Sequence, residues 1–442
     1  MAGSGEETGQ PLGRSVAGWA LSALASPPVV RLMAGPALWL PGRGPRGERI
    51  DLTQFARIIV LRLDEIGDVT MTSAFLRELR RNVPGARITL MVKPTLRNLV
   101  ERCPHVNEVL TVDESAGANP PEWRRRGRAV RWARAHLAPR RFDLAILPRW
   151  DADYHQATFL AYASGARCRV GYSEAVTAHK RRVNRGYDTL LTHALLDATV
   201  KHEVERTLDL IRFLDGTVEE DRLELWLGPE DDADAEAVFR DHPVGAGEPV
   251  VGLAPAGGNS PLKQWPTRHF VELGRRIQRA GSGRILVVGG QGEEALGTEI
   301  ERALGPPAIN TIGKTTLRQM AALLKRCHLI VGNDAGPMHV AAAVGVPVVA
   351  LFGSSCPHRF GPWGNGHRVL GRALPCSPCF HPDHLDRCVR CIFDRPYCIQ
   401  DIPVEEVHRA VEDRLQHGPN ALHAVAQDAR AGSSSSMDRA GF

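Results

Sequence analysis

Val331-Gly-Asn-Asp-Ala-Gly-Pro-Met-His-Val-Ala-Ala-Ala343 reads as a buried strand that runs into a short polar loop and turns at once into a helix. Gly336-Pro337 opens that helix, because proline suits a first helical turn whose amide hydrogens lack partners in any case. The small Ala341-Ala342-Ala343 face lets the helix pack closely on a sheet. Strand, loop and helix in this order are one unit of a parallel α/β sheet.

The same rhythm extends in both directions. Arg57–Leu63 reads as a strand, followed by a helix over 69–82, strands over 87–93 and 108–112, and a further strand over 142–147. It restarts with strands over 249–254, 284–288, 329–332 and 346–352, separated by helices over 270–279, 293–304, 317–325 and 337–344. A helix over 404–415 closes this second series. The expected architecture is therefore α/β, with two doubly wound Rossmann-like domains facing across a cleft. Residues 51–228 form the first domain, 229–248 an acidic joint and 249–416 the second. Ligands of such sheets bind at the carboxyl ends of the strands.

Three strand-end loops carry chemistry. Arg62-Leu-Asp-Glu-Ile-Gly-Asp-Val69 places Asp68 before a helix, where it suits either an N-cap or a general base that takes a proton from an attacking hydroxyl. In Ala254-Pro-Ala-Gly-Gly-Asn-Ser-Pro-Leu-Lys-Gln-Trp-Pro266, Gly257 and Gly258 allow amides close to an anion. Asn259 and Ser260 add short polar groups there, and Lys263 is a point charge suited to phosphate. In the opening stretch, Asp334, Ala335, Gly336, Pro337 and His339 surround a helix start whose dipole and free amides can hold a diphosphate. His339 adds a hydrogen bond or a positive charge. Ser354 and Arg359 follow on the same sheet edge. The single glycine in Leu63-Asp-Glu-Ile-Gly-Asp68 rules out the Gly-x-Gly-x-x-Gly fingerprint of nicotinamide enzymes.

A net charge of +5 over 442 residues is too small to point to nucleic acid. Charge is uneven, however: Arg124 to Arg141 holds eight arginines and no acidic residue, which suits a solvated helix face or an anionic surface. Residues 1–50 include an apolar stretch broken by Pro27, Pro28, Arg31 and Pro36, read as a flexible or membrane-touching extension. Residues 417–442 read as a disordered tail. Cys376-x-x-Cys379 and Cys388-x-x-Cys391 have the spacing of a structural zinc site, with Cys398 spare, or else are reduced thiols.

Taken together, Gly67-Asp68, then Gly257-Gly258 with Lys263 and Trp265-Pro266, then Asp334-x-Gly336-Pro337-x-His339 resemble the heptosyltransferase family, glycosyltransferase family nine. The resemblance spans roughly residues 57–415. It implies a GT-B, inverting enzyme that moves a heptose from ADP-heptose to a lipopolysaccharide core or related anionic glycolipid. By the same resemblance Asp68 is the catalytic base and Lys263 meets the donor phosphates. Asp334, Gly336 and His339 belong to the donor loop, and Glu293 or Glu294 contacts the nucleoside. No metal is needed for the chemistry. A cytoplasmic place at the inner face of the membrane follows. A UDP- or GDP-sugar donor, or a non-catalytic sugar-nucleotide-binding protein, are the competing expectations.

Overall fold

In strand β1 (Arg57–Leu61) successive side chains enter different cores: Ile58 and Val60 one, Ile59 and Leu61 another. Alternation of this kind, with every residue from Ile58 to Leu61 apolar and buried, is what a strand covered by helices on both faces requires. The computed structural model describes residues 50–112, 121–258, 260–306, 308–379 and 390–417. The expectations for residues 1–49, for Asn259 and Cys388 and for the tail beyond His417 lie outside them.

In the first domain, β1 leads to helices α1 (Ile66–Met71) and α2 (Ser73–Asn82), then β2 (Arg87–Val92), α3 (Arg97–Val100) and β3 (Glu108–Thr111). Helix α4 (Glu122–His136), β4 (Leu144–Leu147), α5 (Ala157–Ala163) and β5 (Cys168–Tyr172) follow. The domain ends with α6 (Ala178–Val183), β6 (His193–Leu195) and α7 (Glu203–Phe213). All neighbouring strands pair in parallel, in the order β3-β2-β1-β4-β5-β6.

The second domain repeats the plan. Helix α8 (Pro229–Asp241) precedes β7 (Val250–Ala254), α9 (Thr267–Arg279), β8 (Arg284–Val287), α10 (Glu294–Leu304) and β9 (Ile309–Asn310). Next come α11 (Leu317–Lys325), β10 (Leu329–Asn333), α12 (Gly336–Ala343), β11 (Val348–Leu351) and α13 (Pro357–Phe360). Strand β12 (Arg368–Leu370), α14 (Tyr397–Gln400) and α15 (Val404–His417) complete it. The sheet order is β12-β11-β10-β7-β8-β9, again all parallel. Each sheet therefore reverses direction once, between β1 and β4 and between β7 and β10, and such a reversal opens a crevice at the strand ends.

Two doubly wound sheets are what the strand rhythm predicts. The helix expected over 69–82 is in fact two, α1 and α2, divided at Thr72, and it begins at Ile66. Strands β5, β6, β9 and β12 complete the sheets beyond the sequence expectation; β6, β9 and β12 are only two or three residues long, and the apolar run of β5 is broken by Arg169 and Gly171. The acidic helix of the expected joint packs on α11, with Ala235 buried among second-domain residues. The arginine-rich segment is mixed in role. Arg126 is buried over the Phe159 and Tyr187 rings at 5.4 and 5.6 Å, and Arg140 pairs with Glu108 at 2.7 Å. Arg124, Arg131 and Arg134 stand exposed on α4.

Candidate functional site

The wall contributed by the first domain begins where β1 ends. Arg62, 1% exposed, is fixed by Asp64 at 3.1 Å and by the Pro148 carbonyl at 3.2 Å. Its Nη2 then reaches Asp68 Oδ1 at 3.4 Å. Asp68 is the third residue of α1 and not its cap; Glu65 occupies the cap position, and its amide donates to Asp68 Oδ2 at 3.2 Å. Burial raises the Asp68 carboxyl above the ordinary carboxylate range, Arg62 opposes the rise and the Glu203 carboxylate adds to it. A carboxylate with raised proton affinity, only loosely held, suits proton abstraction.

The facing wall comes from the ends of β7 and β10. Lys263, at the close of a tight turn over Pro261–Lys263, places Nζ 2.7 Å from Asp334 Oδ2, and Ser355 donates its hydroxyl to the same oxygen. Asp334 does not cap α12; Ala335 holds that position without a side-chain bond. His339, one turn in, is 4% exposed and its Nδ1 has no partner among the described residues. Burial pushes its imidazole down to about 4, so of the two expected contributions it offers at neutral pH a hydrogen bond and not a positive charge.

These walls touch where α1 crosses α12. A Cβ added at Gly67 would stand 2.5 Å from His339 Cδ2, and one at Gly336 would stand 2.9 Å from Ile66 Cβ. Two glycines thus let the helix starts meet, which explains residue types that each loop alone leaves open. Beside the crossing lies a cavity of about 460 Å³ lined by Asp68 and Gly67 on one side and Lys263, Asp334, Gly336 and His339 on the other. Its size falls within the common range for small-molecule sites.

Residues outside the sequence expectation also line it. Arg149, Asp151 and Tyr154 follow β4, at the switch point of the first sheet, so the strand-end rule itself points to them. Glu203, at the head of α7, accepts from Arg359 Nη2 at 2.9 Å across the domain boundary. An acidic residue in a first helical turn reads locally as a dipole partner, which hides such a role. Of the two undecided residues on the β11 edge, Arg359 reaches the cavity, whereas Ser354 is buried with its hydroxyl unpartnered among the described residues.

Other expected donor-loop residues lie apart from this cavity. Gly257 and Gly258 shape the loop after β7, where Gly258 has a φ of 60°. Ser260 accepts from the Leu262 amide at 3.3 Å and so caps the turn that carries Lys263. Glu293 accepts from the Gly290 amide at 2.7 Å and Glu294 from that of Gly292 at 3.0 Å; both sit at the β8 end of the same sheet edge. Pro337 occupies the first turn of α12. Cys376, Cys379 and Cys391 are half-buried and Cys398 is buried. Among the described residues no group of three or more His, Cys, Asp or Glu side chains is arranged to hold a metal ion. No helix among them is long and apolar enough to cross a membrane.

A family model described as glycosyltransferase family 9 (heptosyltransferase) matches residues 133–389. Lipopolysaccharide heptosyltransferase 2 of Salmonella typhimurium is 28% identical over 324 residues, covering 71% of this chain and 87% of the relative. A crystal structure of a family 9 glycosyl transferase from Veillonella parvula aligns with a TM-score of 0.67 at 24% identity, over 84% of this chain and 99% of that one. The Escherichia coli ADP-heptose lps heptosyltransferase II aligns with a TM-score of 0.60 at 22% identity, over 81% and 98% of the two chains. Both structural likenesses speak for the fold.

Proposed function

The chain belongs to glycosyltransferase family 9 and is a glycosyltransferase of GT-B architecture, and from that premise we propose that it moves a heptose from ADP-heptose to a lipopolysaccharide-core acceptor with inversion. The observation that carries this reading is the opposition of Asp68 to Lys263, Asp334 and the head of α12 across one cavity. Asp68 takes the proton of the acceptor hydroxyl, whose oxygen forms the new bond to the anomeric carbon. The bond to the diphosphate breaks as the electron pair leaves with phosphate oxygen. Lys263 and the α12 amides receive that charge from the opposite wall. Base and leaving group on opposite walls are the geometry of inversion.

Lys263 is held by Asp334 in place for the diphosphate, at 2.7 Å. Neutral His339 supplies a hydrogen bond beside it, and the loop bearing Glu293 and Glu294 lies at the sheet edge for the nucleoside. The Salmonella relative supports a heptose as the sugar moved, and the Escherichia coli ADP-heptose lps heptosyltransferase II supports ADP as its carrier. The exposed Arg124, Arg131 and Arg134 suit a peripheral contact with the inner face of a membrane that carries an anionic acceptor. We take Cys376, Cys379, Cys388 and Cys391 as a structural zinc set that takes no part in transfer. About one zinc per chain in protein purified under reducing conditions supports it, and none refutes it.

The decisive experiment supplies ADP-heptose and heptose-free core glycolipid and follows product by mass spectrometry, with binding of ADP, UDP and GDP compared by calorimetry. Product together with an ADP preference supports the reading. Preference for UDP or GDP would move the donor, and nucleotide binding without product would favour a binding protein.

A further inference from the structure

Arg359 crosses from the second domain into an acidic pocket of the first. It is 2% exposed, and its Nη2 lies 2.9 Å from Glu203 Oε1 and 3.6 Å from Asp151 Oδ2. Its guanidinium lies over the Trp150 and Phe360 rings, at 4.9 and 4.5 Å from their centroids. The adjoining contact is also between domains: His202 Nε2 meets the Gly361 carbonyl at 3.0 Å, and its ring lies 4.5 Å from that of Trp363. Within its own domain Glu203 has Arg206 Nη1 only at 3.7 Å. Arg206 and Arg62 of its own domain also favour its charge, but its nearest cation and its charged hydrogen bond come from the other domain, so it is charged most comfortably while the domains are docked.

Glu203 and Asp68 line the same cavity. The other charges facing Asp68 are largely matched in place. Arg62 is shared with Asp64, and Arg149 also pairs with Asp64. Glu65 pairs with Lys93 at 2.6 Å, Lys263 with Asp334, and His339 is neutral. Asp151 shares Arg359 with Glu203. Of the two carboxylates that Arg359 meets from across the boundary, Glu203 is the nearer and the one whose charge bears on Asp68.

We propose that Glu203 is a positioning residue for the transfer reaction and Arg359 its partner switch: on docking, Arg359 takes up the Glu203 charge that otherwise opposes an ionised Asp68. The base is thus readied by closure itself, in the state that must exist before it can accept a proton. The effect of the Glu203 charge on Asp68 agrees in direction, since it raises the Asp68 carboxyl. This rests on Asp68 being the base.

The test is the pH dependence of kcat in the full chain. Glu203→Gln keeps the shape and removes the charge, so the acid limb moves to lower pH, by on the order of half a unit. Arg359→Met leaves the Glu203 charge less opposed and moves the limb upward. In a double-mutant cycle on kcat/KM the two changes are non-additive by about tenfold or more, as for a charged hydrogen bond. A merely structural pair would lower rates or melting temperature and leave the limb in place, which overturns the proposal; so does additivity. Should either single variant fail to fold, the doubly neutral E203Q/R359M, which removes both members of the buried pair, carries the same limb readout. Asp68→Asn separates the two ideas. If it stays active the base assignment fails; if it is inactive while the limb of E203Q is unmoved, the tuning role alone fails.

Discussion

Asp68 and Asp334 occupy matching places, each after a strand beside its sheet's switch point and each at the head of a helix, and they face one another across the cavity. Their surroundings differ. Asp334 is clamped by the Lys263 ammonium at 2.7 Å and by the Ser355 hydroxyl. Asp68 has an arginine nitrogen at 3.4 Å and one amide at 3.2 Å, and burial lifts its proton affinity. One carboxylate is clamped between an ammonium and a hydroxyl, while the other is loosely held and has a raised proton affinity. Position in the fold brings both to the cavity, and the partners within about 4 Å set them apart for the two roles proposed.

The strongest way to break this comparison is to neutralise each carboxylate in turn. Asp68→Asn lowers turnover by about 10²–10⁴-fold, the usual contribution of a general base, with ADP affinity nearly unchanged. Asp334→Asn releases Lys263 and weakens ADP binding along with turnover. Identical kinetic signatures for the two would erase the division of roles. Next in size, Lys263→Ala weakens ADP binding by about 10–150-fold, as for a lost charge-assisted hydrogen bond, and slows transfer with it. Unchanged affinity by calorimetry would mean that the ammonium serves Asp334 alone.

Smaller effects test the contact between the walls. Gly67→Ala brings a methyl to 2.5 Å from the buried His339 ring, so that ring or the α1–α12 crossing must shift. A penalty of about 1–3 kcal/mol, typical of overpacking, falls on docking, and kcat/KM drops with little loss in ADP affinity. A parent-like kcat/KM would show that the crossing is not needed closed. His339 provides the mildest test. Its folded value of about 4 lies below the ordinary 6.5, so the unfolded chain binds that proton first as pH falls. Its neutral burial contributes no penalty above about pH 6.5, and stability is lost progressively from there towards about pH 4. His339→Gln flattens that slope by up to about 1.4 kcal/mol per pH unit, measured by denaturant unfolding. An unaltered slope would mean that the imidazole is already protonated or exposed.

Much of the fold is legible because its signals are local. Alternating apolar strands, the Gly336-Pro337 helix start and the restart of the strand rhythm at Pro249 need only neighbouring residues to be read. Short strands such as β9 escape because two residues carry no periodicity, and they exist through pairing with β8. In the site, Asp68, Lys263 and Asp334 are legible because each ends a readable strand–loop unit. Arg359 is legible only as one of two undecided residues on the β11 edge and Glu203 not at all, because their contact spans 156 residues and each looks ordinary within its own helix.

By itself, then, the sequence determined the two doubly wound halves and the strand-end loops that hold the acid, the lysine and the helix start. Tertiary structure alone decided which carboxylate would be clamped and which left to take a proton, that His339 would be neutral, and that Arg359 would cross to Glu203. The physical reason is that backbone pattern is written in nearest neighbours. Charge state is set by desolvation and by partners a few ångströms away, and those distances do not exist until the two domains have folded and docked.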